Sequence, residues 1–155
     1  MKKYFKSTMS YSGQFTIVIL LSLGLFSCST YYISIESFNK QFKEIDSLSL
    51  KIVNVIGPLG ERYSYRANTI DTIDCTDDKG KLIKLVNSPS IEIRFIDKND
   101  EHTTFYFDTI YLRDSMIVGG KSRFLPSIRD SMPITAVKLI KIQDGKKKFD
   151  YERSN

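Results

Sequence analysis

The chain has 155 residues and a formal net charge of +5, a length that fits one domain around a single core. Two cysteines and one histidine exclude a framework of several disulfides and argue against a zinc site, which draws on several Cys and His ligands. The small basic excess is not the clustered basic face that nucleic acid demands.

In chain order, Lys2, Lys3 and Lys6 precede an apolar run from Phe15 to Phe26. A basic head, a short apolar segment and a small residue before a cut form the pattern of a secretory signal peptide. The run is shorter than the roughly 17–25 apolar residues of a membrane span, and Ser27, Ser29 and Thr30 stop its extension. It ends in Leu25-Phe26-Ser27-Cys28, which resembles the lipobox of bacterial lipoproteins. The resemblance implies a diacylglyceryl group on the Cys28 thiol, removal of residues 1–27, and acyl chains such as palmitate holding Cys28 in the membrane. Within that family, Ser29 in place of Asp points to the outer membrane of a Gram-negative envelope. The absence of an acidic cluster in Ser29-Thr30-Tyr31-Tyr32 favours the periplasmic face. The alternatives are a plain secreted protein with an incidental cysteine and an uncleaved membrane-spanning helix. Loss of residues 1–27 would leave 20 basic against 18 acidic side chains.

The organisation expected is a signal peptide over 1–27, lipid attachment and a short tether over 28–30, and one β-rich domain over 31–155. Tyr31, Ile33 and Ile35 alternate as in a strand. Phe38, Phe42 and Ile45 fall at helical spacing, and the spacing predicts a short helix from Ser37, which would cap it. Period two then takes over. Leu48, Leu50 and Ile52 share one face, Tyr63, Tyr65 and Ala67 another, then Ile73 with Cys75, and Ile91, Ile93 and Phe95. A strand is predicted from Phe105 to Leu112, with Asp108 on its polar side. Tyr106 and Tyr111 then fall on opposite faces, since their separation is odd. Met116 to Val118 is a short strand ending at Gly119-Gly120, and Lys121 to Pro133 reads as irregular. Apolar spacing resumes through Val137, Leu139 or Ile140, and Ile142. Asp144-Gly145 predicts a tight turn, with Lys146 to Glu152 pairing back as the last strand. Short strands separated by turn signals predict an all-β fold, a small antiparallel sandwich or barrel with one short N-terminal helix.

Candidate chemistry is sparse. Gly119-Gly120-Lys121-Ser122 imitates the end of a phosphate-binding loop, but the full motif needs glycine where Ser115 stands, and a helix directly after. The glycines are better explained as a strand end. Asp71, Asp74, Asp77 and Asp78 do not have the alternate spacing of a calcium loop. Asp78-Lys79-Gly80 is turn chemistry. Lys146, Lys147 and Lys148 suit an exposed edge strand protected from pairing, or contact with anionic headgroups. The tyrosines suit core packing, with a glycan-stacking or docking face as the alternative.

Cys75 shares a pleat face with Ile73 and is expected to be a buried, reduced thiol. His102 follows a polar turn and is expected to be exposed. No nucleophile, base and oxyanion donor converge in the sequence, so no catalytic, cofactor-binding or metal residue is assigned. The expectation is a membrane-anchored envelope lipoprotein acting as a non-catalytic binding or assembly module. Its partners would be membrane lipid through acylated Cys28 and an envelope protein, without nucleic acid. The alternatives are a glycan- or ligand-binding lipoprotein and a hydrolase using His102.

Overall fold

The computed structural model describes residues 29–145 and 147–152. Residues 1–28, on which the signal-peptide and lipobox expectations fall, and Lys146 therefore lie outside the described residues. The described chain is all-β with one short helix, as the alternation predicts. In chain order the elements are β1 (Thr30–Ile33), α1 (Ile35–Phe42), β2 (Lys51–Ile56), β3 (Arg62–Ala67), β4 (Thr72–Thr76), β5 (Leu82–Val86), β6 (Ile91–Asp97), β7 (His102–Tyr106), β8 (Tyr111–Arg113), β9 (Met116–Gly120), β10 (Arg129–Pro133), β11 (Val137–Asp144) and β12 (Asp150–Tyr151).

The largest sheet runs β5-β4-β1-β11-β6-β7, and two three-stranded sheets run β10-β9-β8 and β12-β2-β3. The pairings are antiparallel. β1 is internal: it pairs with β11 over Thr30 to Ile33 and with β4 at Tyr32↔Thr76. Where β1 stops, the Gln41 side chain takes over as a partner for β4. Its Nε2 donates to Asp74 O (2.9 Å) and its Oε1 accepts from Asp74 N (3.0 Å).

The helix starts three residues earlier than a Ser37 cap implies. Ser34, not Ser37, is the N-cap, and its Oγ accepts from Ser37 N at 3.1 Å. The apolar face is as expected. Phe38 stacks on Phe42 at 4.5 Å between centroids, and their edges meet Phe95 and Phe107. They join Ile33, Ile73, Cys75, Ile91, Ile93, Phe105, Ile117 and Ile140 in the main core. A second core of Val55, Tyr65, Ala67 and Phe149 belongs to the small sheet β12-β2-β3.

Four local expectations change, and one open alternative is settled. Leu48 lies exposed in a turn held by Asp46, whose Oδ1 accepts from Leu48 N and Ser49 N, and Ile52 faces solvent while Val55 faces the core. The strand predicted from Phe105 to Leu112 breaks at a 3-10 turn, Phe107–Thr109, so Tyr106 and Tyr111 lie in different sheets. The irregular stretch contains β10, which pairs with β9 from Arg129 to Pro133. A register shift between Val137 and Leu139 selects Ile140 as the buried partner of Val137 and Ile142. The last strand is only Asp150–Tyr151, and it pairs with β2 in another sheet. Lys147 and Lys148 are therefore not edge-strand lysines; they lie in the connection that crosses between sheets.

Candidate functional site

The second core closes over a charged pair. Asp108 is 0% exposed and Arg123 is 2% exposed. Arg123 Nη2 donates to Asp108 Oδ1 at 2.7 Å, and Nη1 donates to Oδ2 at 3.2 Å, a bidentate arrangement. Tyr65 and Tyr151 add their hydroxyls to Oδ2 at 2.6 and 2.9 Å. Three of the four donors thus converge on Oδ2 and one on Oδ1. The guanidinium also lies over the rings of Tyr106 (4.0 Å) and Tyr65 (4.7 Å), which stabilises a desolvated cation. Arg123 Nε has no partner among the described residues.

Local sequence explains each placement. Asp108 rides the Phe107–Thr109 turn, which the buried Asn68 pins. Asn68 Nδ2 donates to Phe107 O (2.8 Å) and Ile110 O (3.2 Å), and Asn68 N donates to Asp108 O (2.6 Å). Thr109 Oγ1 donates to Tyr106 O and accepts from Gly120 N. Arg123 rides the loop between β9 and β10, closed by Lys121 N to Ile128 O and by Ile128 N to Leu125 O, both at 3.0 Å. Tyr65 and Tyr151 come from β3 and β12 of the small sheet. Burial, then the Asp108 carboxylate, pushes the pKa of both phenols far above the ordinary tyrosine range. They stay protonated and donate. A turn, a loop and a separate sheet are therefore locked at one sealed point.

Beside this lock lies an open cleft of about 540 Å³, lined by β2 residues from Lys51 to Asn54, by Asn68 to Asp71, and by Asn87, Tyr151 and Glu152. Tyr151 connects the two, lining the cleft while its hydroxyl reaches Asp108. Asn87 Nδ2 donates to Ile70 O at 2.8 Å, and its buried Oδ1 has no partner among the described residues. The volume is within the range of small-ligand sites, and the lining is mostly polar.

His102 is exposed at the start of β7. It shares a groove of about 340 Å³ with Glu92, Thr104, Phe105, Tyr106 and Lys121. Neither the serine nor the aspartate expected beside a hydrolytic histidine lines that groove. Cys75 is buried on the core-facing side of β4, its Sγ 3.6 Å from Ile83 O. Burial, then Asp74, pushes its thiol pKa up. Gly119 and Gly120 are part of β9 and pack closely: a Cβ on Gly119 would lie 2.5 Å from Phe105 Cγ. Asp77 organises a hairpin turn, its Oδ1 accepting from Lys79 N and Lys81 N, with Gly80 at φ 77°. No group of three or more His, Cys, Asp or Glu that could hold a metal ion occurs among the described residues.

Asp108 and Arg123 were invisible to periodicity. Asp108 alternates like a solvent-facing residue, and Arg123 sits in a stretch without pattern. The available signal was the apolar context, Phe105 to Ile110 around the acid and Phe124-Leu125 after the base. No protein-family model, curated protein or solved structure matches the chain.

Proposed function

We propose that this protein is a lipid-anchored envelope module that binds or assembles with a partner while held against the membrane through Cys28, without catalysis of its own. The observation that supports it most is the position of β1. Only Ser29 separates the lipobox cysteine from Thr30, and Thr30 is already paired to Gln143 inside the largest sheet. Two residue steps span at most about 7 Å, so acyl chains on Cys28 would place the domain directly at the headgroups. The outer membrane, on its periplasmic face, is the location the residues after Cys28 favour. A partner would then be membrane-proximal.

Metabolic labelling with an alkyne palmitate analogue tests the anchor. Wild type takes up the label on a shortened chain, and Cys28→Ala remains unlabelled at precursor length. A mature protein with unmodified Cys28, or one starting elsewhere, refutes the reading. A photo-crosslinker at Asp71 in the cleft should give a discrete envelope adduct, and one at Asn99 on the β6–β7 turn should not. A second reading, a polar ligand such as a glycan, draws on the cleft and the unpartnered Asn87 Oδ1. Under it, Tyr151 and Asn87 resonances move when oligosaccharide is titrated.

A further inference from the structure

The loop that buries Arg123 turns its next residues outward. Phe124 is 60% exposed, Leu125 56% and Ile128 45%. Contiguous exposed apolar side chains on a soluble domain mark a contact surface. This loop is pre-formed. Its ends are joined by backbone bonds, Ser122 Oγ accepts from Leu125 N at 3.1 Å, and the Arg123–Asp108 pair fixes its base. Phe124 is held edge-on by Tyr63 at 5.6 Å and by Phe149 at 6.2 Å.

Basic residues border the loop. Lys121 and Arg129 flank it in sequence, and Lys147 and Lys148 immediately precede Phe149. All four are exposed. Asp130 pairs with Lys121, and Glu92 pairs with Lys147, which leaves Arg129 and Lys148 as the two border cations outside an ion pair among the described residues. Lys147 is also 5.5 Å from the Tyr106 ring.

The register places this patch beside the start of the domain. Thr30 pairs with Gln143, Gln143 with Glu92, and Glu92 with Tyr106, forming one rung across β1, β11, β6 and β7. β1 starts at this rung and β7 stops there, while β6 starts and β11 ends one residue away. It is one end of the sheet. Strands lie about 4.8 Å apart, so Tyr106, against which Arg123 packs, is roughly 14 Å from Thr30 across three spacings. β1 thus begins at the same end that carries Lys147 and the Phe124 loop.

We infer that Phe124 and Leu125, with their basic border, form a second membrane contact that inserts into an anionic lipid surface beside the acylated cysteine. This rests on the lipoprotein reading. Two contacts fix an orientation where a single tether would let the domain swing. The apolar tips enter the headgroup boundary, and Arg129 and Lys148 meet anionic phosphates.

The chain contains no tryptophan, so one substitution gives a unique reporter. Phe124→Trp, Leu125→Trp and Asn99→Trp are each made in the acylated mature chain and reconstituted on phosphatidylethanolamine–phosphatidylglycerol vesicles with brominated acyl chains. Asn99 occupies the turn at the other end of β6 and β7, roughly 20 Å along the strands from the rung. Emission from the Phe124→Trp and Leu125→Trp variants should shift to the blue and lose most of its intensity, and emission from the Asn99→Trp variant should be unchanged. Both effects should weaken several-fold on phosphatidylcholine vesicles. Vesicle-bound protein with all three reporters unquenched overturns the insertion alone, as does equal quenching of all three or indifference to lipid charge. A chain that does not float with vesicles overturns the anchor as well.

Discussion

Replacing Arg123 by Met tests the lock most directly. The substitution keeps much of the side-chain volume and removes the charge. Asp108 loses the donors at 2.7 and 3.2 Å and keeps only the two phenols. Its carboxylate remains fully buried, with no countercharge. Removing one partner of a buried ion pair costs about 3–5 kcal/mol, a large part of the roughly 5–15 kcal/mol that holds a domain together. Loss of the two ring contacts acts in the same direction. The double variant Asp108→Leu, Arg123→Met should recover part of this, because an apolar replacement of a buried pair is often neutral or stabilising. The recovery should be incomplete, since Tyr65 and Tyr151 then lack an acceptor, at about 1–3 kcal/mol for each buried hydroxyl left unpaired. Equilibrium urea unfolding of the mature chain at neutral pH reads all three proteins. A loss below about 1 kcal/mol for Arg123→Met would mean that water replaces the guanidinium, and the sealed-lock argument would fail.

The remaining predictions concern other parts of the molecule. The folded-state pKa of Tyr65 and Tyr151 lies above the unfolded value of 10.0, so their contribution is intact below pH 10 and is lost as pH rises above it. With two protons held by the folded state alone, stability should fall by about 2.7 kcal/mol per pH unit there. Stability measured against pH in wild type and Tyr65→Phe, Tyr151→Phe should differ in that slope, and equal slopes would count against the assignment. Gly119→Ala forces a Cβ to 2.5 Å from Phe105 Cγ and 2.8 Å from its Cβ, a buried side chain packed against β9 from another sheet. Such overpacking costs about 1–3 kcal/mol, and a chemical denaturation midpoint equal to wild type would refute the packing role. Cys75, 3% exposed with its thiol pKa raised, should react with maleimide only at the rate of unfolding. Rapid labelling of the folded chain would place the thiol elsewhere.

Sequence by itself determined the β class, the helix face and most of the main core. Ile73, Cys75, Ile91, Ile93, Phe95, Phe38 and Phe42 all point inward as their spacing implies, because burying one face of a strand or helix writes its period directly into the residues. It also carries the proposed anchor at Cys28, since the lipobox pattern is linear, while the pairing of β1 carries the proposed closeness to the membrane. The tertiary structure decided what no period encodes. Alternation assumes an unbroken strand, and it failed where Phe107–Thr109 turns and where Val137 and Leu139 shift register. Asp144-Gly145 specified a turn but could not specify which strand its exit would meet, and β12 crossed to β2. Above all, Asp108 and Arg123 lie 15 positions apart in a turn and a loop, on segments with no pattern of their own. Local sequence marks charged residues as solvent-facing, because burying either charge alone is prohibitive. Only the fold, by bringing the two together under Tyr65, Tyr106 and Tyr151, makes their burial possible.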